Sequence, residues 1–276
     1  MKKEKKMKKL IIALLVVLTL VGCGKSKPAD ENTLVVSCTL DPHSRILTFI
    51  KPILKEKYGI DLEIIVLDDY YVFNKALDAG DVDANYFQHV PFFKSEVEAN
   101  GYDIENVLGV HIEPFGFYST TISDIADLPD GGEIVISNAV ADHGRLLKIL
   151  ENNGVLTLKA GVDTLEATLA DIASNPKNLV FKEIKPELLI SAYDNKEGDL
   201  VAINGNYALQ GGLSPAKDAV ILEKGGAENP YVNIIAIKTG TGDQVKIKAL
   251  LEVMASQEVK DFIAETWSDG SVIAAE

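Results

Sequence analysis

After residue 33 the chain alternates short β-branched runs with segments of helical period, and this rhythm restricts the fold more tightly than any other feature. "LVVSCT" (34–39) reads as a buried strand. "SRILTFIKPILKEKYG" (44–59) then places Ile46, Phe49, Ile50, Ile53 and Leu54 on one helical face, with Gly59 as a stop. Pro52 inside it is expected to kink the helix or shift its start. "LEIIVL" (62–67) is the next strand, so the order strand–helix–strand predicts a parallel sheet clothed by helices. A second series runs through "EIVISN" (133–138), "DHGRLLKILENNG" (142–154), "VDTLEATLADIASN" (162–175), "LVFKEI" (179–184), "PELLISAYD" (186–194) and "DLVAING" (199–205). The series mixes strands with helical segments, 142–154 and 162–175 both being helical. "PYVNIIAIKTG" (230–240) returns a strand, and "DQVKIKALLEVMAS" and "QEVKDFIAETW" close the chain as helices. The extended stretches "VHIEPFGFYS" (110–119) and "NPYVNIIAIK" (229–238) each link one series to the other. Two such crossings predict a two-lobed α/β fold of parallel-rich sheets. One lobe takes 33–112 and 233–276, the other takes 113–232, and the crossings act as hinge strands beside a ligand cleft.

The first residues read differently. "MKKEKKMKK" is a lysine-rich leader and "LIIALLVVLTLV" (10–21) an apolar run that as a helix would reach roughly 18 Å, short of the ~30 Å hydrocarbon core. With "LVGC" at its end, this is a lipoprotein export signal over 1–22, with lipid carried on Cys23 and a polar tether over 23–32. The expected location is the outer face of the cell membrane. Losing the leader removes six lysines and one glutamate and takes the formal charge from -14 to -19. No basic run remains, which excludes nucleic acid as a partner. Cys38 is the only other cysteine, so no disulfide forms, and it reads as a small core residue.

Enzyme signatures are missing: no G-x-S-x-G, H-E-x-x-H, P-loop or dinucleotide fingerprint occurs. The four histidines, His43, His89, His111 and His143, are scattered without a zinc spacing. His111 and Glu113 fall on one strand face and read as a solvated pair. No catalytic role, cofactor or metal is expected. Four functions stand side by side at this point: an amino-acid-binding protein, a solute-binding protein for a metal ion, an exported hydrolase, and a surface adhesin.

Three segments carry candidate binding chemistry. In "NAVADHGRLLKIL", Asp142 stands at an expected N-cap and Arg145 in the first helical turn. There a guanidinium beside free helix N–H groups is either a carboxylate clamp or a surface arginine. In "INGNYALQGG", Asn204 and Asn206 either meet a polar ligand head or shape the turn. Asn233, mid-strand among apolar residues, needs a partner if buried. "DANYFQHVPFF" (83–93) reads as a loop between Gly80 and Pro91, with Phe87 and His89 as pocket wall and one of Phe92 and Phe93 turned to the core.

These segments, with "DDYYVFNKALDAGDVDANYFQHVPFF", "EPFGFYS", "GRLLKILENNGVLTLK" and "INGNYALQGGLSPAKDA", resemble the NlpA/MetQ family of lipid-anchored methionine-binding proteins. The resemblance implies a type II periplasmic-binding-protein fold and delivery of ligand to the permease and ATPase of an ABC importer. By its pattern Arg145 is the carboxylate clamp. Tyr70, Phe87 and His89 form the side-chain pocket, and Asn138, Asn204 and Asn233 lie near the ligand head. Two places depart from the pattern. "SNAVADHGR" replaces P-N-D-P-T-N-x-G-R, which puts the carboxylate of Asp142 three residues from the clamp, and "PHSRIL" replaces P-H-A-E-I-L with Arg45 for an acid. The ligand expected is methionine or a close relative, with a short peptide or a more cationic derivative as the variant that the new carboxylate suggests.

Overall fold

The structure, a computed structural model, describes residues 32–224 and 229–276. The export signal and Cys23 lie outside the described residues.

The chain opens as strand β1 (Thr33–Cys38), helix α1 (Arg45–Tyr58) and strand β2 (Asp61–Val66), with β1 and β2 parallel. Helix α1 carries Pro52 without ending there and stops on Gly59, which takes a left-handed φ of 70°. Next come α2 (Tyr70–Ala79), β3 (Ala84–His89), α3 (Val90–Asn100) and β4 (Ile104–Ile112). After β5 (Gly116–Tyr118) and β6 (Glu133–Ser137) follow α4 (Val140–Asn152), the short strands β7 (Thr157–Leu158) and β8 (Ile172–Ser174), and β9 (Val180–Ile184). Then come α5 (Leu189–Asp194), β10 (Leu200–Ile203), α6 (Gly205–Gln210), α7 (Pro215–Asp218) and β11 (Ile221–Leu222). The return strand β12 (Val232–Lys238), helices α8 (Val245–Met254) and α9 (Gln257–Thr266), and β13 (Ile273–Ala274) complete the chain.

Two large sheets result. One has the order β13-β4-β12-β3-β1-β2 and the other β11-β5-β10-β6-β9. β1 pairs in parallel with β3, and β6 with β9 and β10, whereas β12 runs antiparallel between β3 and β4. Each sheet has its own apolar core. Leu34, Ile46, Ile50, Ile235 and Leu250 lie in the first, and Phe117, Ile134, Leu147 and Leu200 in the second. Cys38 is buried in the first core, and burial pushes its thiol up to about 12. A third cluster belongs to both halves. Tyr70, Phe73, Phe87 and Phe92 pack with Tyr118, Ile203 and Tyr207 and join the lobes.

Three sequence expectations are overturned. "DANYFQH" is not a loop: residues 84–89 form β3, buried throughout between β1 and β12. A strand covered on both faces has no polar side, so its aromatics and amides read from sequence as irregular. The expected helix over 162–175 is a set of turns, a short 3₁₀ segment at Leu169–Asp171, and β8. Its polar side chains bond the local backbone instead, Asp163 accepting from the Leu165 N–H and Asp171 from the Thr168 N–H. Finally, Asp142 is not an N-cap. Ala139 holds that place, Asp142 lies buried inside the first turn, and Arg145 falls in the second.

Helix α4 packs closely on those turns. A Cβ at Gly144 would stand 1.9 Å from the Thr164 carbonyl oxygen, a backbone atom that cannot swing away. Gly144→Ala is therefore expected to destabilise the protein by about 1–3 kcal/mol in urea titration, as overpacking does. Unchanged stability would show that this contact yields freely.

Candidate functional site

Between the sheets lies a small cavity whose walls come from both lobes. The first lobe gives Tyr70, Phe87, Gln88, His89, Phe92 and Asn233, and the second gives Glu113, Asp142, Arg145, Asn204, Gly205 and Asn206. Local structure explains how they converge. Tyr70 opens α2 just after its N-cap Asp69, and His89 ends β3 while capping α3, its Nδ1 accepting from the Phe92 N–H at 3.1 Å. Strand register sets Asn233 of β12 beside His89 of β3 on one side and His111 of β4 on the other. Asn204 and Asn206 flank the end of β10 where α6 begins, the strand-end position that α/β folds use for ligands. Gly205 permits close approach there, since an added Cβ would meet the Glu113 Cβ at 2.6 Å.

Hydrogen bonds close the seam. Tyr70 donates its hydroxyl to Asn206 Oδ1 at 2.6 Å, and Tyr207 donates to the Asp68 carbonyl at 2.6 Å. His89 Nε2 donates to Asp142 Oδ1 at 2.8 Å, and Asn204 Nδ2 donates to Asp142 Oδ2 at 3.0 Å. The cavity holds about 20 Å³. Small-molecule pockets occupy roughly 300–1,000 Å³, so the lobes must part along this seam to admit a ligand.

Arg145 is buried and held through Nε and Nη2. Its Nε and Nη2 bond the two carboxylate oxygens of Glu223 at 2.9 and 2.5 Å, and Nη2 also donates to the Glu113 carbonyl at 2.6 Å. The guanidinium lies 5.4 Å from the Phe115 ring centre and 4.4 Å from that of Tyr231. Asp142 keeps its charge. Burial works against ionisation, but the His89 and Asn204 hydrogen bonds and the nearby guanidinium prevail and hold the carboxyl below its ordinary value. Glu113 goes the other way, burial raising it more than His43, Arg145 and the Asn206 N–H lower it. Two amide atoms of the cavity are buried with no hydrogen-bond partner, Asn204 Oδ1 and Asn206 Nδ2.

Two of the four histidines come together. His43 and His111 are buried with Glu113, their ligand atoms within 4.8 Å of one another, which corrects the reading of His111 and Glu113 as a solvated pair. Asn233 Oδ1 can only accept, so His43 donates from Nε2 at 3.1 Å and receives the Thr39 hydroxyl at Nδ1, 2.6 Å away. His111 donates in the same way to Glu113 Oε1 at 2.9 Å and receives the Tyr86 hydroxyl at 2.5 Å. These three side chains are a donor set that a divalent cation could use, here tied into two hydrogen-bond chains, Thr39–His43–Asn233 and Tyr86–His111–Glu113.

Of the residues singled out from sequence, Tyr70, Phe87, His89, Arg145, Asn204 and Asn233 line the cavity. Asn138 does not: it is exposed, and its N–H bonds the Ile184 carbonyl. Phe92 is the wall residue of its pair, while Phe93 packs on the separate cluster of Leu77 and Val82. Sequence reasoning missed Glu113 as a cavity residue and Glu223 as the partner of Arg145. Glu113 carried a usable signal, an acid two residues from His111 at the first crossing. Glu223 carried none.

The comparisons with known proteins agree with this architecture. The profile of the NlpA lipoprotein family matches residues 34–276. This chain belongs to the NlpA lipoprotein family. It is 49% identical to the methionine-binding lipoprotein MetQ of Bacillus subtilis, over 97% of this chain and 98% of that one. The D-methionine-binding lipoprotein MetQ of Escherichia coli K12 is 34% identical over 94% of each chain. A solved structure of a Bacillus subtilis methionine-binding lipoprotein superposes with a TM-score of 0.86 at 50% identity, over 89% of this chain and 99% of that one. A nutrient-binding protein from Burkholderia cenocepacia, solved bound to methionine, gives 0.82 at 37% identity over 88% and 100%. The fold is the two-lobed one of periplasmic binding proteins.

The buried imidazoles make stability depend on pH. Burial pushes His43 and His111 down to about 3, against 6.5 for a free ring. Below pH 6.5 the unfolded chain binds protons that the folded rings refuse, so stability is complete above that pH and falls as pH drops toward 3. Each ring contributes about 1.4 kcal/mol per pH unit in that window. Urea titration is expected to show about 2–4 kcal/mol less stability at pH 5 than at pH 7. Equal stability at both would mean the rings gain protons in the folded state.

Proposed function

We propose that the protein is the lipid-anchored solute-binding component of an ABC importer. It takes up methionine or a close relative between its lobes and presents it to a permease and ATPase pair. It binds rather than catalyses. Cys23 is the proposed site of the lipid anchor, and no helix among the described residues is long and apolar enough to cross a membrane. Similarity to relatives named as methionine-binding lipoproteins, and to one solved with methionine, supports the ligand class.

The observation that carries the reading is the composition of the seam. A buried guanidinium, a buried carboxylate and two unpartnered amide atoms, one donor and one acceptor, surround a short space beside a wall of aromatic rings. That is what an α-amino acid with an apolar side chain requires. Its carboxylate takes donors from Arg145 and Asn206, its ammonium takes acceptors at Asn204 and Asp142, and its thioether lies on Tyr70, Phe87 and Phe92. A charge-assisted hydrogen bond is worth ~1.5–3 kcal/mol and burial of the side chain about as much again. Both lobes supply contacts, so ligand shifts the population toward the closed form.

Calorimetric titration of L-methionine into protein that has been unfolded and refolded is expected to show one site of micromolar affinity or tighter. Arg145→Ala and Asn233→Ala should each weaken it at least tenfold while both variants remain folded. Silence from folded protein would overturn methionine as ligand. Near-unchanged affinity in both variants would overturn the assignment of the site. A metal-ion cargo is the second reading, favoured by the His43, His111 and Glu113 donors. Because both Nε2 protons are already donated to oxygen, zinc is expected to leave Tm unchanged, and a rise of several degrees would favour that cargo.

A further inference from the structure

We infer that this site prefers a methionine-type ligand bearing a net positive charge, a sulfonium or quaternary ammonium on the side chain, and that Asp142 sets the preference. The inference rests on the proposed function and deepens it.

Besides His89, the closed cavity is lined by one basic side chain, Arg145, and two acidic ones, Asp142 and Glu113, the latter pushed toward its neutral form by burial. Arg145 is the cation of the site, and Glu223 already faces it with both carboxylate oxygens at 2.9 and 2.5 Å. Asp142, 1% exposed, has two partners in contact. One is the amide of Asn204, which carries no charge. The other is His89, whose Nδ1 accepts the Phe92 N–H, so the ring proton resides on Nε2 alone and the imidazole is uncharged. Asp142 is therefore a buried carboxylate in contact with neutral donors only, and the nearby guanidinium of Arg145 is already paired with Glu223. His143, the next residue, turns away and bonds the Ser137 carbonyl. Lys185, the lysine paired across the seam with Asp69, is exposed and also bonded to Glu187.

A buried charge without a counter-charge is unfavourable until something supplies one. A zwitterionic amino acid brings as much negative charge as positive and leaves the imbalance in place. A ligand with one further positive charge removes it. The wall beside Asp142 restricts what kind of cation fits. The rings of Tyr70, Phe87 and Phe92 line it at 5.8–5.9 Å from one another, centre to centre, and the Tyr70 hydroxyl is already bonded to Asn206, so the wall is carbon ring surface. Aromatic faces attract alkylated cations such as sulfonium and quaternary ammonium. A primary ammonium like that of lysine is compact and strongly hydrated, and it would lose water there without replacing its hydrogen bonds.

The test is a paired calorimetric titration of L-methionine and S-methyl-L-methionine into the refolded, detergent-solubilised full chain. The sulfonium is expected to bind at least tenfold more tightly than methionine. Asp142→Asn, which keeps the side-chain shape and an acceptor oxygen, is expected to bring the ratio of the two affinities close to one. A wild-type protein that binds methionine as tightly as the sulfonium, or more tightly, overturns the inference and leaves the proposed function standing. So does an Asp142→Asn variant that is folded and keeps the wild-type ratio. Should neither compound bind to folded wild-type protein, the methionine reading falls and this inference with it. The wild-type comparison needs no variant, so a poorly folding Asp142→Asn does not rescue the idea.

Discussion

The carboxylate of Asp142 is where the two halves of this molecule meet chemically. It accepts one hydrogen bond from His89 at the end of a strand in the first lobe and another from Asn204 at the end of a strand in the second. Both donors occupy fixed positions, His89 because it also caps helix α3 and Asn204 because it precedes helix α6. A buried anion tolerates little displacement of its donors, so this one pair of bonds registers the lobes against each other. The stacked rings of Tyr70 and Tyr207 and the Tyr70–Asn206 bond complete the same seam. The closed state therefore rests on directional polar contacts over an aromatic cluster. Such contacts exchange readily for those of a ligand, unlike a continuous apolar core.

Behind the seam, a second layer holds the ligand-facing groups still. Arg145 lies between the rings of Phe115 and Tyr231 with Glu223 on one edge, so the guanidinium has little rotational freedom left. Asn233 is held by His43, and Glu113 by His111, each imidazole fixed in turn by a hydroxyl from Thr39 or Tyr86. Groups restrained before binding lose less freedom on binding, which is how a small site reaches useful affinity. The cost is borne as pH sensitivity, because the restraint depends on rings that stay uncharged. Family membership and the shared fold agree with a binding protein of this design.

Much of the fold was legible because it is written in local periodicity. Helix α1, helix α4 and the strands at Thr33–Cys38, Asp61–Val66 and Glu133–Ser137 follow from apolar spacing alone. The failures share a cause. Residues 84–89 and 162–175 mix polar and apolar positions without a period, and their state was decided by neighbours: β1 and β12 in the first case, turn-forming side chains in the second. In the site, Arg145 and the asparagines announced themselves as polar residues in apolar or glycine-rich surroundings. Glu223 did not, because an exposed-looking glutamate near the end of a strand is ordinary until the fold sets it on Arg145.

By itself the sequence determined the α/β class, the two chain crossings and the residue types that could meet an amino acid, since these depend on short-range pattern and side-chain chemistry. Only the tertiary structure decided which of those residues meet. His89 and Asp142 are 53 positions apart, Arg145 and Glu223 are 78, and His43 and Asn233 are 190. No local rule links residues at such separations. Whether Asp142 caps a helix in water or stands as a buried charge in a cavity depends on which strand ends the sheets bring to it. Dielectric and counter-charge are properties of the packed surroundings, and those exist only once the lobes have formed.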